Sequence, residues 1–389
     1  MRILSIASIL PVPGIKKGND FVFQTYLNYK KSYPGDEIII IKPLKIDLNP
    51  LVLLKNIITC KLPKIYDTKF INGFRVEIMP FLSWWTFRDM HSLLSRTLYY
   101  FNRKRILKVL STGKFDIIHA QFVYSDGMLA NMLCRKYGIP YVITTHNERF
   151  YFDHPISART GRRILNQASG VYPINHSNYT FFKKLQIPNL ELIPLGFNSS
   201  FIKPQKPQKT GPVKVLTVCE LIPLKNVDKV IDAIHVISGR HEVHLTVIGR
   251  GPEKKSLEQK AISLKMEPVV SFIEYIPYEE IGEEMYKHDI FIMPSYFETF
   301  GRVYFEAMAM GIPVICAKNS GIYGIFKEYE EGISVNHNSN DDIVNALEFL
   351  ITKPEERYRI GANGKNLVEG FTWSAIAEIL HSRYTAISR

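Results

Sequence analysis

The sequence predicts an α/β chain of two domains, each built on an open parallel β-sheet. Three observations carry this expectation. At 389 residues the chain exceeds one ordinary domain. Short apolar runs bounded by Gly and Pro alternate with helical stretches, the pattern of repeated βαβ units. Between them lies a stretch at 199–212 with Pro204, Pro207, Gly211 and Pro212 and little apolar content, which reads as a linker.

Composition narrows the class. Hydrophobic residues at 46% supply two full cores, and the 12% aromatic content is high. The four cysteines, Cys60, Cys134, Cys219 and Cys316, lie far apart with no Cys-x-x-Cys. That spacing is neither a disulfide framework nor a zinc site, and fits reduced thiols in a cytoplasmic protein. The apolar run at 3–10 follows Arg2 but is too short for a signal peptide and lacks a cleavage site, so it reads as a first strand. No apolar run approaches the roughly 18 residues that span a bilayer. The formal net charge of +12 is lopsided: residues 1–200 hold 27 Lys and Arg against 12 Asp and Glu, while the remainder holds 22 against 25. The first half is therefore expected to meet something anionic: a membrane surface, a phosphorylated acceptor or nucleic acid. No nucleic-acid-binding motif accompanies the charge.

The first half reads in order as follows. Strand 1–8 leads into a loop, 9–18, that carries Gly14, Lys16, Lys17 and Gly18. This loop is either a phosphate approach or a flexible turn, and it lacks the P-loop spacing. A helix at 19–31 and strands at 36–42 and 74–79 follow, while 49–70 is poorly patterned. From Trp84, Trp85, Thr86, Phe87 and Arg88 a helix is expected to run to about Leu110. Its Tyr99, Tyr100 and Phe101 precede Arg103, Lys104, Arg105 and Lys108. Such a mixture fits either an interfacial membrane helix or an amphipathic helix burying its rings. Strands at 115–120 and 141–145 carry His119 and His146 at their ends, where an open parallel sheet meets its ligands; a histidine there is as readily structural. Asn147, Glu148 and Arg149 line the next loop and are candidates to contact an acceptor. Strands at 171–174 and 190–193 complete this sheet.

In the second half, strand 213–218 is followed by a loop, 219–225, and a helix from about Asn226. Lys225 beside that helix is either a solvated lysine or a cation for a diphosphate. Strand 244–248 ends in the tight turn Gly249-Arg250-Gly251-Pro252, and strand 269–273 leads to Glu274-Tyr275-Ile276-Pro277. The stretch 295–311 organises the rest. It links an apolar run at 290–293 to another at 312–316 as strand, loop, helix, strand. Its loop carries Glu298, its helix carries Glu306 eight positions on, and Gly301 opens the helix with free amides able to meet a phosphate. Helices at 340–353, 355–369 and 374–388 close the chain.

Pro294, Ser295, Glu298, Phe300, Gly301, Glu306, Ala307, Met308, Ala309, Gly311, Pro313 and Val314 together resemble the Glu-x7-Glu signature of the family 4 retaining glycosyltransferases, of the bacterial surface-polysaccharide and glycolipid type. The resemblance implies two Rossmann-like domains facing each other across a cleft, the GT-B fold. The expected division is an acceptor domain at 1–198, the linker, a nucleotide-sugar domain at 213–371, and a last helix at 372–389 crossing back to the first domain. It implies no cofactor, only a nucleoside-diphosphate sugar as donor substrate. Donor contacts fall on Gly18, Lys225, Gly249, Ile276, Glu298, Thr299, Phe300, Gly301, Arg302 and Glu306. Acceptor contacts fall on His146, Asn147, Glu148 and Arg149, and the catalytic set on Glu298, His119 and Lys225. By the same resemblance Glu306 accepts ribose hydroxyls, Lys225 and the amides near Gly301 meet the diphosphate, Glu298 orients the donor sugar, and the anomeric configuration is retained. No Asp-x-Asp is present, so a metal-held diphosphate is not expected.

Two departures bear on this. Cys219-Glu220 stands where the family has Gly-Arg, the arginine of which contacts diphosphate, and Glu274 stands where it prefers Gly. Either another cation such as Arg250 or Arg302 compensates, or phosphate is held less tightly. The expectation is thus a cytoplasmic glycosyltransferase, peripheral at the inner face of an anionic membrane, with a lipid-linked or glycan acceptor. The alternatives are a nucleotide-sugar-binding protein without transferase activity, or a phosphorylase or epimerase on the same fold.

Overall fold

A computed structural model describes residues 1–12, 20–47, 68–83, 96–205 and 211–388. Its contacts divide the chain into two units. One comprises Met1–Ile174, Asn178–Pro194 and Trp373–Arg389, the other Asn175–Ser177 and Leu195–Thr372.

Ile38, Ile39, Ile40 and Ile41 set the character of the first unit. Successive strand residues point to opposite faces, so four buried isoleucines in a row require cover on both, as in a parallel sheet between helices. The sheet contains β1 (Arg2–Ile6), β2 (Glu37–Asp47), β3 (Thr68–Ile71), β4 (Phe74–Ser83), β5 (Ile117–Ala120), β6 (Tyr141–Thr145) and β7 (Gly170–Pro173). Their order is β3-β4-β2-β1-β5-β6-β7, parallel except for β3, which pairs antiparallel with β4 at the edge. The order therefore reverses between β1 and β5, and loops following these strands meet there. The helix Ser125–Tyr137 follows β5; it ends with Arg135 and Lys136 near its negative pole and Gly138 in the left-handed region, φ +71°. The last helix, Trp373–Ser388, packs on the helix Phe21–Ser32, where the His381 ring stacks on Tyr33 with centroids 3.5 Å apart.

The second unit repeats the plan. Strands β8 (Val213–Val218), β9 (Val243–Ile248), β10 (Val270–Ile273), β11 (Ile290–Met293), β12 (Val314–Ala317) and β13 (Ile333–Val335) are ordered β10-β9-β8-β11-β12-β13. All pairs are parallel, and the reversal lies between β8 and β11. Its core interleaves Val215, Leu245, Ile290 and Ile315 of the sheet with Val230, Ile234 and Leu347 of the helices, all fully buried. Each such side chain contributes about 1.5–3 kcal/mol relative to remaining in water.

Both parallel sheets agree with the reading of the sequence; several details do not. The segment 190–193 makes one isolated bridge, Val171 to Leu190, and no strand, although Glu191 and Ile193 still donate to β7 carbonyls. Over its described residues, 96–110, the helix expected to reach Leu110 is broken into Thr97–Phe101 and Arg103–Leu110. They part at buried Asn102, whose side-chain amide donates to the carbonyls of Leu98 (2.8 Å) and Pro80 (2.6 Å). An asparagine satisfied this way competes with continued helix. Within the supposed linker, Ser199–Phe201 forms a 3-10 turn that buries Phe201, with its ring 5.5 Å from that of Tyr278. Gly18, the stretch 84–88 and linker residues 206–210 lie outside the described residues.

Candidate active site

The second unit's site begins with two glycines. Gly249 and Gly251 each have φ +157°. A Cβ on Gly249 would lie 1.8 Å from the Cys219 carbonyl oxygen, and one on Gly251 would lie 2.2 Å from that of Leu221. Only glycine lets these backbones approach so closely. The approach is fastened by Leu221 N–H donating to the Arg250 carbonyl (2.7 Å) and Cys219 N–H to that of Ile248 (3.1 Å). Loops after β8 and β9 thus form one rim. They border a cavity of about 540 Å³ whose lining includes Glu220, Gly249, Arg250, Tyr275, Ile276, Tyr278 and Glu306.

Glu306 is the buried polar group of this cavity, 6% exposed, on the helix Arg302–Ala309. The Tyr278 hydroxyl donates to its Oε1 at 3.0 Å. Burial raises its pKa, while Tyr278 and Arg302 pull it back. Gly301 supplies the left-handed N-cap of that helix at φ +78°, where a Cβ would collide with the Tyr304 ring at 2.7 Å. Phe300 is buried with its ring 5.0 Å from that of Phe305, so only its backbone is available to a ligand. Thr299 and Arg302 are half-buried beside it.

On the β11 side, Lys225 Nζ donates to Glu298 Oε2 in an ion pair with both side chains mostly buried. The sequence separates these residues by 73 positions. Adjacent strands bring them together, and their loops are tied by Tyr296 N–H to the Leu224 carbonyl (2.8 Å) and Asn226 Nδ2 to that of Pro294 (2.9 Å). Glu220, which replaces the family's arginine, is exposed. Arg250 stands at the same cavity with its guanidinium 4.3 Å from the Tyr275 ring centroid, so a cation is present there despite the departure. Among the described residues no three His, Cys, Asp or Glu side chains gather as metal ligands would.

The first unit holds the other residues expected at the site. His119 is 1% exposed, with Nε2 2.8 Å from Thr144 Oγ1 and Nδ1 2.6 Å from the Tyr384 hydroxyl and 3.2 Å from that of Tyr26. Both ring nitrogens are engaged inside the unit, and burial drives the pKa to about 3. The ring therefore ties β5, β6, the helix Phe21–Ser32 and the last helix together. His146 is also buried, its ring 4.7 Å from both Phe21 and Phe122. Glu148 is buried and accepts the His146 N–H at Oε2 (2.7 Å) and the Val123 N–H at Oε1 (3.3 Å). Asn147 is half-buried, and Arg149 is exposed with its guanidinium 5.6 Å from the Phe181 ring centroid.

Sequence reasoning missed Tyr278, Asp126 and Lys42. The first had a signal, since Tyr278 directly follows Pro277 and opens the helix Tyr278–Met285 after the loop that leaves β10. The other two carry no such signal, and both are buried. Asp126 accepts from Ser8 N–H (3.0 Å), Ser8 Oγ (3.1 Å) and Ser125 Oγ (2.9 Å), while Lys42 Nζ donates to the Ser8 carbonyl.

These buried groups predict an unusual pH dependence. Burial raises Asp126 to about 7 and Glu148 to about 8, and lowers Lys42 to about 8 and His146, like His119, to about 3. A raised carboxyl binds more protons folded than unfolded, so stability falls as pH climbs from the unfolded value to the folded one. The lowered histidines act oppositely from pH 3 to 6.5, and Lys42 from 8 to 10.5. The carboxyls and histidines roughly cancel below about pH 6.5, leaving the carboxyls alone up to pH 8. Calorimetry should therefore find unfolding free energy reduced by about 2 kcal/mol between pH 6.5 and 8. A melting temperature that rises across that interval would show that these carboxyls ionise freely.

Two doubly wound units, the second with a cavity walled by Glu306 at its switch point, define a protein of the GT-B class. Comparison with known proteins agrees. The model described as "Glycosyl transferases group 1" matches residues 198–367, and that described as "Glycosyltransferase Family 4" matches 83–201. A D-inositol 3-phosphate glycosyltransferase of Stackebrandtia nassauensis is 30% identical over 304 residues, spanning 70% of this chain and 68% of the relative. An uncharacterized glycosyltransferase of Methanocaldococcus jannaschii is 26% identical over 299 residues, 75% of this chain and 81% of the relative. Among solved structures, Anabaena HepE in complex with UDP superposes with a TM-score of 0.70 over 99% of both chains at 18% identity. The chain belongs to glycosyltransferase family 4.

Proposed function

We propose that this glycosyltransferase moves a sugar, with retention of anomeric configuration and without a metal, from a nucleoside-diphosphate donor to a hydroxyl of a lipid-linked or polysaccharide acceptor. The observation that carries the reading is Glu306, a buried carboxylate at the wall of a 540 Å³ cavity. A carboxylate is an acceptor with room for several donors, and a ribose offers two adjacent hydroxyls. In this reading Lys225 and the amides at the start of the helix after Gly301 meet diphosphate charge as the glycosidic bond breaks. Arg250 adds a cation at the cavity. Glu298 orients donor-sugar hydroxyls, and the departing phosphate takes the acceptor proton. A UDP complex of a protein with this fold supports a nucleotide donor.

Thermal unfolding with UDP, GDP and ADP tests the donor site. One nucleotide at about 100 times its dissociation constant should add about 2.7 kcal/mol, roughly 5–10 °C for a domain of this size. No shift with any of the three would favour a donor that is not nucleotide-linked. Proton NMR of the first-formed product tests retention, and an inverted anomer would overturn it.

Among the described residues no helix is long and apolar enough to cross a membrane. Tyr100 and Phe101 are 66% and 60% exposed, next to exposed Arg103, Lys104 and Lys108. We assign this patch to peripheral contact with an anionic bilayer, the rings at the interface and the cations on headgroups. The protein should sediment with vesicles containing anionic lipid at low salt and be released at high salt. Indifference to both lipid charge and salt would remove the membrane from the proposal.

A further inference from the structure

The loop that carries Glu298 is fastened almost residue by residue. Ser295 N–H donates to the Met293 carbonyl (2.8 Å), and the Glu298 carbonyl accepts from Gly321 N–H (2.9 Å). The carbon stem of Glu298 is confined as well, since a Cβ on Gly301 or on Gly321 would come within 3.1 or 3.3 Å of its Cγ. The next carbonyl, that of Thr299, is held by a side chain. It accepts from Asn175 Nδ2 at 2.8 Å, although Asn175 lies 124 positions earlier in the chain. A carbonyl only accepts, so the amide nitrogen of Asn175 and not its oxygen faces it.

Asn175 follows shortly after β7, yet Asn175–Ser177 belong by their contacts to the second unit. Asn175 is 6% exposed. Beside it His176 fills the space over Gly324, where a Cβ would lie 2.4 Å from the ring's Cγ and the backbone is left-handed at φ +80°. Only glycine tolerates both conditions, so the segment is seated closely against the second unit's own backbone.

Peptide planarity carries the effect of this bond onward. Among the described residues every peptide bond is trans. In a trans peptide the carbonyl and the following N–H point in opposite directions. By fixing the Thr299 carbonyl, Asn175 therefore aims the Phe300 N–H the other way. Phe300 is buried, and among the described residues its N–H has no hydrogen-bond partner. Buried amides rarely stay unpaired, so this one is a donor kept for a ligand. We propose that Asn175 is a positioning residue of the transfer reaction: through the Thr299 carbonyl it presents the Phe300 N–H, and with it the Glu298 carboxyl, to the sugar-bearing end of the donor. This role rests on the transferase reading above. Its loss should be felt at the sugar end of the donor and not at the nucleoside end, where Glu306 stands.

Full-length wild type, Asn175→Ala and Asn175→Asp are compared with UDP, GDP and ADP and with UDP-glucose, UDP-galactose, GDP-mannose and ADP-glucose. The readouts are melting temperature and the rate of sugar transfer to water. With the donor that wild type accepts, Asn175→Ala should lower kcat by roughly 10–100-fold, the scale on which misplacement of a positioned group is felt. The melting shift given by the bare nucleotide should remain, while the increment added by the sugar disappears. Asn175→Asp keeps the shape but sets a carboxylate against the Thr299 carbonyl. Its kcat relative to wild type should rise as pH falls from about 8 to about 5, because the protonated carboxyl donates again. Should Asn175→Ala fail to fold, this pH profile carries the test. Unchanged kcat in Asn175→Ala overturns the proposal. So does a loss of kcat that runs in parallel with loss of the bare-nucleotide shift, or an Asn175→Asp variant whose relative kcat ignores pH. A nucleotide shift with neither a sugar increment nor turnover across the panel sinks this inference alone. Absence of any nucleotide shift in the wild type sinks the reading on which it rests.

Discussion

Lys225→Met is expected to lower kcat/KM by about 10²–10³, the scale on which removal of one preorganised charge partner is felt in a reaction that develops anionic charge. In the ligand-free molecule Lys225 is neutralised by Glu298, and both side chains are largely shielded, at 15% and 17% exposed. A diphosphate carries more charge than one carboxylate and should take over the lysine, so that donor binding releases Glu298 toward the sugar hydroxyls. Lys225→Met removes the partner of the leaving phosphate and also strands a half-buried carboxylate. Glu298→Gln separates these effects, because it leaves Lys225 able to meet phosphate and keeps a hydrogen-bonding side chain in place. Its melting temperature should fall by no more than that of Lys225→Met, with the loss of activity concentrated in kcat. The double variant Lys225→Met/Glu298→Gln should recover stability relative to Lys225→Met without recovering activity. Unchanged kcat/KM in Lys225→Met would reduce the pair to a structural ion pair.

Much of this was legible in the sequence because parallel sheets write themselves as short apolar runs. The strands at β8, β9, β10 and β11 fall within a residue or two of the runs that announce them. The carboxyl ends of such strands mark where ligands meet an open sheet, which singles out the loop of Glu298, while Lys225, Gly249 and the role of Glu306 rest on the resemblance to the family. What sequence does not contain is which way a polar side chain turns. His119 and His146 occupy corresponding strand ends, yet His119 meets Tyr384 of the last helix, 265 positions away, and is locked inside. Asn102 ends a helix through its own side-chain amide, a local choice that competes with a favourable helical pattern. Lys42 and Asp126 are charged residues in an otherwise apolar context, and their burial depends on Ser8 lying between them. Tyr278 acquires its role only because the loop after β10 brings it over Glu306.

Glu306→Ala should abolish the nucleotide-induced rise in melting temperature, and the chemistry of the donor explains why the effect is large. Two ribose hydroxyls donating to one desolvated carboxylate make two charge-assisted bonds, each worth about 1.5–3 kcal/mol. Their loss weakens nucleotide binding by roughly 10²–10⁴, enough to erase a shift measured at 100 times the wild-type dissociation constant. The variant itself should remain folded, since Tyr278, the residue left without its acceptor, is 45% exposed and can turn to water. Removing a buried carboxyl whose pKa is raised by desolvation also relieves a cost, so the unliganded melting temperature should change little. The decisive comparison uses a 2′,3′-dideoxynucleoside diphosphate. If Glu306 reads the ribose, wild type should bind this analogue about as weakly as Glu306→Ala binds the natural nucleotide, and the variant should bind both alike. If the analogue binds wild type as tightly as the natural nucleotide does, Glu306 does not meet the ribose, and the cavity beside it serves some other part of the donor. Tyr278→Phe gives the intermediate case: it keeps the carboxylate but frees Oε1, so discrimination between ribose and dideoxyribose should persist while the absolute affinity shifts by a factor of a few.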